Sequence, residues 1–159
     1  MLRATSAQRK IEAHLPPLTF RPFAITTPEY AAALRLREEV LRRPLGLRFS
    51  DADLAAESVC FHLGAFNGAL PVAVLLLQPL DSGTIQMRQV AVDPAWQGCG
   101  IGTRLIAFAE TFARAEGCQR LLAHARATTL GFYEKLGYAA TGPEFIETTI
   151  PHRLVSRRL

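Results

Sequence analysis

Between Val92 and Arg104 the chain reads Asp93-Pro94-Ala95-Trp96-Gln97-Gly98-Cys99-Gly100-Ile101-Gly102-Thr103, a strand that stops, a turn with glycine at alternate positions, and a helix that starts. Glycine removes the Cβ atoms that hold a ligand away from the backbone and admits positive φ, so the N–H groups of such a turn can converge on one anion. The helix is read from its period. Ile101, Leu105, Phe108, Phe112 and Ala115 recur at spacings of four and three, and Gly117 stands where a helix stops. Its first turn directs unpaired N–H groups and the positive end of its dipole back into the glycines. The pattern predicts a phosphate cradle, suited best to a pyrophosphate.

Two common cradles do not match. A Walker A loop places Lys after its last glycine, and none is present here. A dinucleotide fingerprint needs Gly-x-Gly-x-x-Gly near the start of a βαβ unit with an acid about 20 residues on. Here Gly-Cys-Gly-Ile-Gly falls past mid-sequence, and the next strand ends on His124 and Arg126.

The flanking chain supplies the sheet. Thr19–Phe23 predicts a first strand, and Thr27-Pro28-Glu29 a helix start whose buried stripe is Tyr30, Leu34, the Arg37 stem, Val40 and Leu41, ended by Pro44. Pro44–Ser58, with Asp51, Asp53 and Glu57, reads as a loop or broken helix whose acids either meet a cationic amine or are simply solvated. Val59–Phe66 and Val72–Leu77 flank Asn67-Gly68, a hairpin signal. Beyond a turn at Asp81-Ser82-Gly83, alternation over Thr84–Val90 puts Gln86 and Arg88 on one face and Ile85 and Met87 on the other. Arg120–Arg126 is a strand joined to Thr84–Val92 through a helix, hence parallel to it, and the two can splay where the cradle lies. Thr129–Leu136 is a short helix stopped by Gly137. A strand from Tyr138 is interrupted at Gly142-Pro143, and the tail to Leu159 supplies the last strand or two.

At 159 residues the chain is most simply one domain, large enough to bury roughly 70% of its unfolded surface. The first eighteen residues, rich in Arg, Lys, Ser and Ala, read as a loosely ordered leader, leaving 19–159 as the folded domain. No apolar run approaches the ~18 residues of a membrane span, so no membrane partner is expected. Three cysteines without CxxC spacing, Cys60, Cys99 and Cys118, argue against disulfides and a zinc site and for a reducing cytoplasm. Cys99 reads more simply as a small residue in a tight turn than as a redox group. The net charge of +4 is scattered among acids, so no nucleic-acid partner is expected, and a polyanionic cofactor or a solvated surface explains it equally.

Gln97-Gly98-Cys99-Gly100-Ile101-Gly102 resembles the Gln/Arg-x-x-Gly-x-Gly/Ala signature of the GNAT acetyltransferases, whose backbone amides hold the pyrophosphate of acetyl-CoA. Val90-Ala91-Val92-Asp93-Pro94 before it, and Phe132-Tyr133-Glu134-Lys135-Leu136-Gly137-Tyr138 after it, are similar to flanking segments of that family. The tail Gly142-x-x-Phe145-x-Glu147-x-x-Ile150-Pro151-His152, with Leu122-x-His124-Ala125 and the Leu34–Val40 segment, resembles the ElaA/YjcF-like subgroup. Arg126 stands where the subgroup has Gln and the wider family Asn, so a cofactor hydrogen bond from that position is not implied.

The resemblance implies an α/β (α+β) fold: a single GNAT-type domain with a mixed central sheet splayed between two parallel strands and helices on both faces. It implies acetyl-CoA as cosubstrate, no metal, and transfer of the acetyl group to a primary amine of a small molecule or an exposed amino group by direct attack. The alternative is a non-catalytic acyl-CoA-binding or sensor module. Implied cofactor contacts are Val90, Ala91 and Val92, pairing with the pantetheine arm like an added strand, then Gln97, Gly98, Cys99, Gly100, Ile101, Gly102 and Thr103 around the pyrophosphate, with Phe132 and Tyr133. Trp96 covers the adenine or anchors the turn. Tyr133 matches the family's general acid; a phenol near pKa 10 protonating a thiolate near 8.5 climbs about 1.5 units, or about 2 kcal/mol. For amine deprotonation Glu147 and His152 lead, with His62 and Glu57 also possible. His124 is assigned to packing or to the pocket wall. A monomer and a homodimer are both compatible with an exposed edge strand near the C-terminus.

Overall fold

In a computed structural model, which describes residues 17–81 and 83–159, seven strands form one mixed sheet. They are β1 (Thr19–Phe23), β2 (Phe61–Asn67), β3 (Leu70–Asp81), β4 (Thr84–Val92), β5 (Arg120–Arg126), β6 (Ala139–Glu147) and β7 (Ile150–Arg158), in spatial order β1-β2-β3-β4-β5-β7-β6. β4 and β5 are parallel, and every other neighbouring pair is antiparallel. The predicted Met1–Leu18 leader lies, but for Pro17 and Leu18, outside the described residues.

Helices cover both faces, as expected. On one face lies α1 (Pro28–Arg37), started by Pro28 in its first turn and continued by a π turn, Glu38–Arg42. A 3₁₀ turn at Arg43–Leu45 and Gly46, at φ +69°, end the segment. The buried members of α1 are Ala33 and Arg37, and Arg37 is buried to its guanidinium, only 1% exposed, rather than by its stem alone. α2 (Asp51–Ala56) begins in a capping box, in which Ser50 and Asp53 satisfy each other's backbone N–H. The expected broken helix is thus a short, regular one.

On the other face, α3 (Ile101–Ala115) and α4 (Leu130–Lys135) pack over the main core of Leu63, Leu75, Leu77, Ile85, Met87, Leu121 and Val155. The buried face of α3 is Ile101, Leu105, Ile106, Ala109 and Ala113. Phe108 and Phe112 sit at its edge, tilted against Phe20 and Phe61, and Ala115 is exposed, a correction to the predicted stripe. A 3.6-residue turn drifts off a strict four-and-three pattern, so the core-facing line slides toward Ala109 and Ala113. Buried Glu110 accepts from Tyr138 Oη at 3.1 Å and from Arg157 at 2.9 Å, tying α3 to β7.

The tail becomes a full-length strand: β7 inserts between β5 and β6, leaving β6 at the edge. Gly142-Pro143 falls within a register shift of β6 between Thr141 and Phe145, so the interruption is a bulge and the strand continues through it. Among the described residues no helix is long and apolar enough to cross a membrane, the three cysteines are free, and no cluster of His, Cys, Asp and Glu is arranged to hold a metal.

Candidate active site

β4 and β5 pair only from Thr84–Met87 against Arg120–Ala123, then part. The cause lies on β4. Two residue steps of β3, Val74 to Leu76, face three of β4, Arg88 to Ala91, and within the extra step Gln89 takes φ +54°. Left-handed backbone at a non-glycine costs on the order of 1–2 kcal/mol. Gln89 is held by its side chain: Oε1 accepts from Arg37 at 2.8 Å and Nε2 donates to Glu57 at 3.3 Å. Arg37 and Glu57 in turn form a bidentate pair at 2.7 and 2.9 Å, and Tyr30 Oη donates to Glu57 at 3.1 Å.

The bulge also reverses which residues face which way. Ile85 and Met87 point to the α3 side, as alternation predicts, but beyond Gln89 it is Val90 and Val92 that pack there, while Ala91 turns to Ala33 and Val74 under α1. The Asp93 N–H donates to Val72 O at 2.8 Å, so alternation along the strand aims the amides of Val90 and Val92 into the gap left by β5. The Val92 carbonyl, facing the same way, accepts from Gln97 Nε2 at 2.9 Å.

At the mouth of the gap, Gly98 and Gly100 take φ +77° and +79°, and Gly100 caps α3. Among the described residues the N–H groups from Gly98 to Thr103 have no hydrogen-bond acceptor within the protein; the helix's first backbone bond is Arg104 N–H to Gly100 O. A Cβ at Gly102 would stand 3.5 Å from Val92 Cγ2 and 3.9 Å from Phe132 Cζ, so the glycine keeps the floor of the gap clear.

The gap opens into a cleft of about 910 Å³, at the upper end of the usual range for ligand sites. Val90, Val92, Trp96, Gln97, Gly98, Gly100, Ile101, Gly102, Thr103, Phe132 and Tyr133 line one part of it. Tyr133 is 8% exposed, and burial pushes its phenol up to about 12. Among the described residues its hydroxyl has no hydrogen-bond partner, yet it is not sealed from the cleft. Ala91 and Cys99 do not line the cleft; Ala91 is buried under α1, and Cys99 Sγ lies 3.8 Å from Gln97 O.

The other part of the cleft lies on the α1 face. His124 and Arg126 alternate outward on β5, and His152 of β7 lies opposite Arg126. His124 Nδ1 lies 3.2 and 3.3 Å from the Glu147 oxygens and, facing a carboxylate, carries the proton. His152 Nδ1 donates to Ile150 O at 2.9 Å, and its Nε2 faces Glu147, 3.9 Å away. Phe145 packs edge-on to His124 and stacks with His152. The hairpin carrying Glu147 turns through Thr148 and Thr149 at φ +47° and +70°. The π turn of α1 brings in Val40, Leu41 and Arg42.

This fold and cleft agree with a family match over residues 24–138, most of the described chain, to the acetyltransferase (GNAT) family. The chain belongs to the GNAT acetyltransferase family. A protein of Bacillus subtilis (strain 168) whose name describes it as an acetyltransferase is 24% identical over 129 residues, 79% of this chain and 87% of that protein. Among solved GNAT folds, Escherichia coli ElaA superposes with a TM-score of 0.77 at 17% identity, covering 89% of this chain and 99% of that one. A GNAT family acetyltransferase of Elizabethkingia anophelis with acetyl-CoA bound gives 0.70 at 19% identity, over 89% and 98%.

Against this GNAT architecture the remaining sequence candidates divide. Glu147 and His152 meet in the cleft. Glu57 is consumed by Arg37, Tyr30 and Gln89, and His62, 4% exposed, is held by Glu57 O at 3.2 Å between the rings of Phe23 and Tyr30, outside the cleft. Burial lowers the His62 pKa. His124 proves to be pocket wall rather than packing. The Arg37–Glu57–Gln89 group is not singled out by the sequence, although Arg37 stands four residues after Ala33 on the face α1 buries.

Proposed function

We propose that this protein transfers the acetyl group of acetyl-CoA to a primary amine by direct attack. The observation that carries the reading is the run of acceptor-free amides from Gly98 to Thr103 at the mouth of a gap that Tyr133 borders. Those amides and the dipole of α3 suit the pyrophosphate, and the outward amides of Val90 and Val92 suit the pantetheine arm and the thioester oxygen. Because a Cβ at Gly102 would occupy the cradle floor, the residues present fit such a ligand.

The Tyr133 hydroxyl holds the proton for the departing thiolate. With the phenol at about 12, the climb from a thiolate near 8.5 is about 3.5 units, or about 5 kcal/mol. That is steeper than the free-phenol figure, but the same dry surroundings raise the thiol and narrow the gap. His124, oriented by Glu147 through Nδ1–H, presents bare Nε2 to the incoming ammonium, and His152 Nε2 faces the same carboxylate 3.9 Å away.

Thiol release from acetyl-CoA over a panel of amines tests the reading. Tyr133→Phe should bind acetyl-CoA within a few-fold of wild type and lose roughly 10²–10⁴ in kcat. Binding without thiol release for any amine would instead mark a non-catalytic acyl-CoA-binding module.

A further inference from the structure

Four arginines of this fold meet carboxylates: Arg21 meets Glu29, Arg37 Glu57, Arg43 Glu39 and Arg157 Glu110. Arg42 and Arg126, in the cleft, do not. Both line it, and among the described residues neither forms an ion pair. Each instead sends one N–H to the same acceptor, the Leu41 carbonyl, at 3.3 Å from Arg42 and 3.4 Å from Arg126. Both bonds are long, and a guanidinium has five donors in a fork, so most of this donor capacity points elsewhere. Two like charges gathered on one oxygen also repel, a cost that an anion between them reverses.

Arg42 is positioned for that task. Its guanidinium lies over the Phe49 ring at 4.4 Å, which fixes the fork. It is partly stripped of water, and that burial is what lowers its pKa. The nearby acid, Asp53, also borders the cleft, but among the described residues it makes no ion pair with Arg42 and instead accepts from Ser50 N–H at 2.8 Å in the cap of α2. Glu147 is committed to His124 and faces His152. Arg88, the third cleft arginine, donates to Gln78 at 2.8 Å.

The two poles adjoin. His124 and Arg126 project from the same face of β5 two residues apart, about 7 Å along a strand, and His152 sits opposite Arg126 in the register. We propose that the acetyl acceptor carries an oxyanion, carboxylate or phosphate, close to its amine, and that Arg42 and Arg126 seat the oxyanion while Glu147, His124 and His152 receive the amine. The amine half rests on the acetyl-transfer reading; the anion half rests on the two arginines alone. Polyamines, which bring a second cation to the guanidiniums, are then poor acceptors.

Matched amines test this: O-phosphoethanolamine against ethanolamine, and phenylalanine against phenethylamine. Each is titrated calorimetrically into the full chain and assayed for thiol release with acetyl-CoA. The acid-bearing member of at least one pair should bind at least tenfold tighter and show the larger kcat/KM, and the pair that does so tells phosphate from carboxylate. Arg126→Met and Arg42→Met should each bring that ratio down tenfold or more. Arg126→Lys, which keeps a charge but not the fork, should fall between, and thermal unfolding checks that all three variants are folded. Equal or reversed preference in both pairs, or variants that weaken both members of a pair alike, overturn the proposal. If the anion preference is measured in binding and no amine releases thiol, the anion site stands and the acetyl-transfer reading falls.

Discussion

Replacing Arg37 by methionine should be among the most damaging single changes in this chain, and the structure says by how much. The guanidinium is 1% exposed and donates three hydrogen bonds, two to Glu57 and one to Gln89. Without it, Glu57, 4% exposed, is left with only Tyr30 Oη and Gln89 Nε2 as side-chain partners. Breaking a buried pair from one side costs about 3–5 kcal/mol, which for a domain of this size lowers Tm by roughly 10–15 °C. Removing both charges in Arg37→Met/Glu57→Leu leaves no stranded ion, so the double variant should be less destabilised than the sum of the single variants by about 2–3 kcal/mol. Equilibrium urea unfolding of the four proteins reads the cycle. A second consequence is local: Gln89 loses its grip, its left-handed backbone relaxes, and kcat/KM for acetyl-CoA should drop at a temperature where the variant is still folded. A cost below about 1 kcal/mol for Arg37→Met, or strict additivity, would refute the idea that a buried ion pair props the gap open.

Three further outcomes are expected. Gly102→Ala meets only ordinary contacts and replaces a helical glycine, so it should stabilise the free protein by about 0.5–1 kcal/mol while weakening acetyl-CoA binding tenfold or more; calorimetry and urea midpoints must move in opposite directions. His62 is buried neutral with its pKa lowered, so the unfolded chain takes up a proton first as pH falls. Stability should therefore decline below about pH 6.5, by up to about 1.4 kcal/mol per unit, until the folded-state pKa is passed, and His62→Gln should flatten that slope. Thr148 and Thr149 both hold positive φ, so Thr148→Asn/Thr149→Gly should raise stability by about 1–2 kcal/mol in thermal melts and, because Thr148 borders the cleft, alter amine kinetics as well.

The strands, their parallel pair, the cradle and the helix behind it are legible because each is written locally, in alternation, a glycine triplet or a four-and-three repeat. What local pattern does not carry is the bulge. Nothing in Arg88-Gln89-Val90 marks a left-handed residue, since its stabilisers, Arg37 and Glu57, come from elements far away in sequence. The reversal of inward and outward faces past Gln89 follows from that one step. Buried charge is equally hidden: an arginine on a helix stripe reads as a stem until a carboxylate from another segment arrives to meet its head. Glu147 and His152 are candidates through the tail's resemblance, whereas the contact of His124 with Glu147 depends on β6 folding back across β7 to bring Glu147 over it.

That fold-back bears on how the molecule is made. β7 follows β6 in sequence, yet it lies between β5 and β6, and among the described residues β6 pairs with no other strand until β7 arrives. During synthesis the half that carries the glycine turn, β1 through α3 and β5, can assemble while the segment bearing His152 is still within the ribosome. The half that brings Glu147 and His152 together must wait. A nascent chain halted before Ile150 would then hold a nearly complete glycine turn and gap beside an unfinished Glu147–His152 wall, so the two parts of the cleft are built in sequence, glycine turn first.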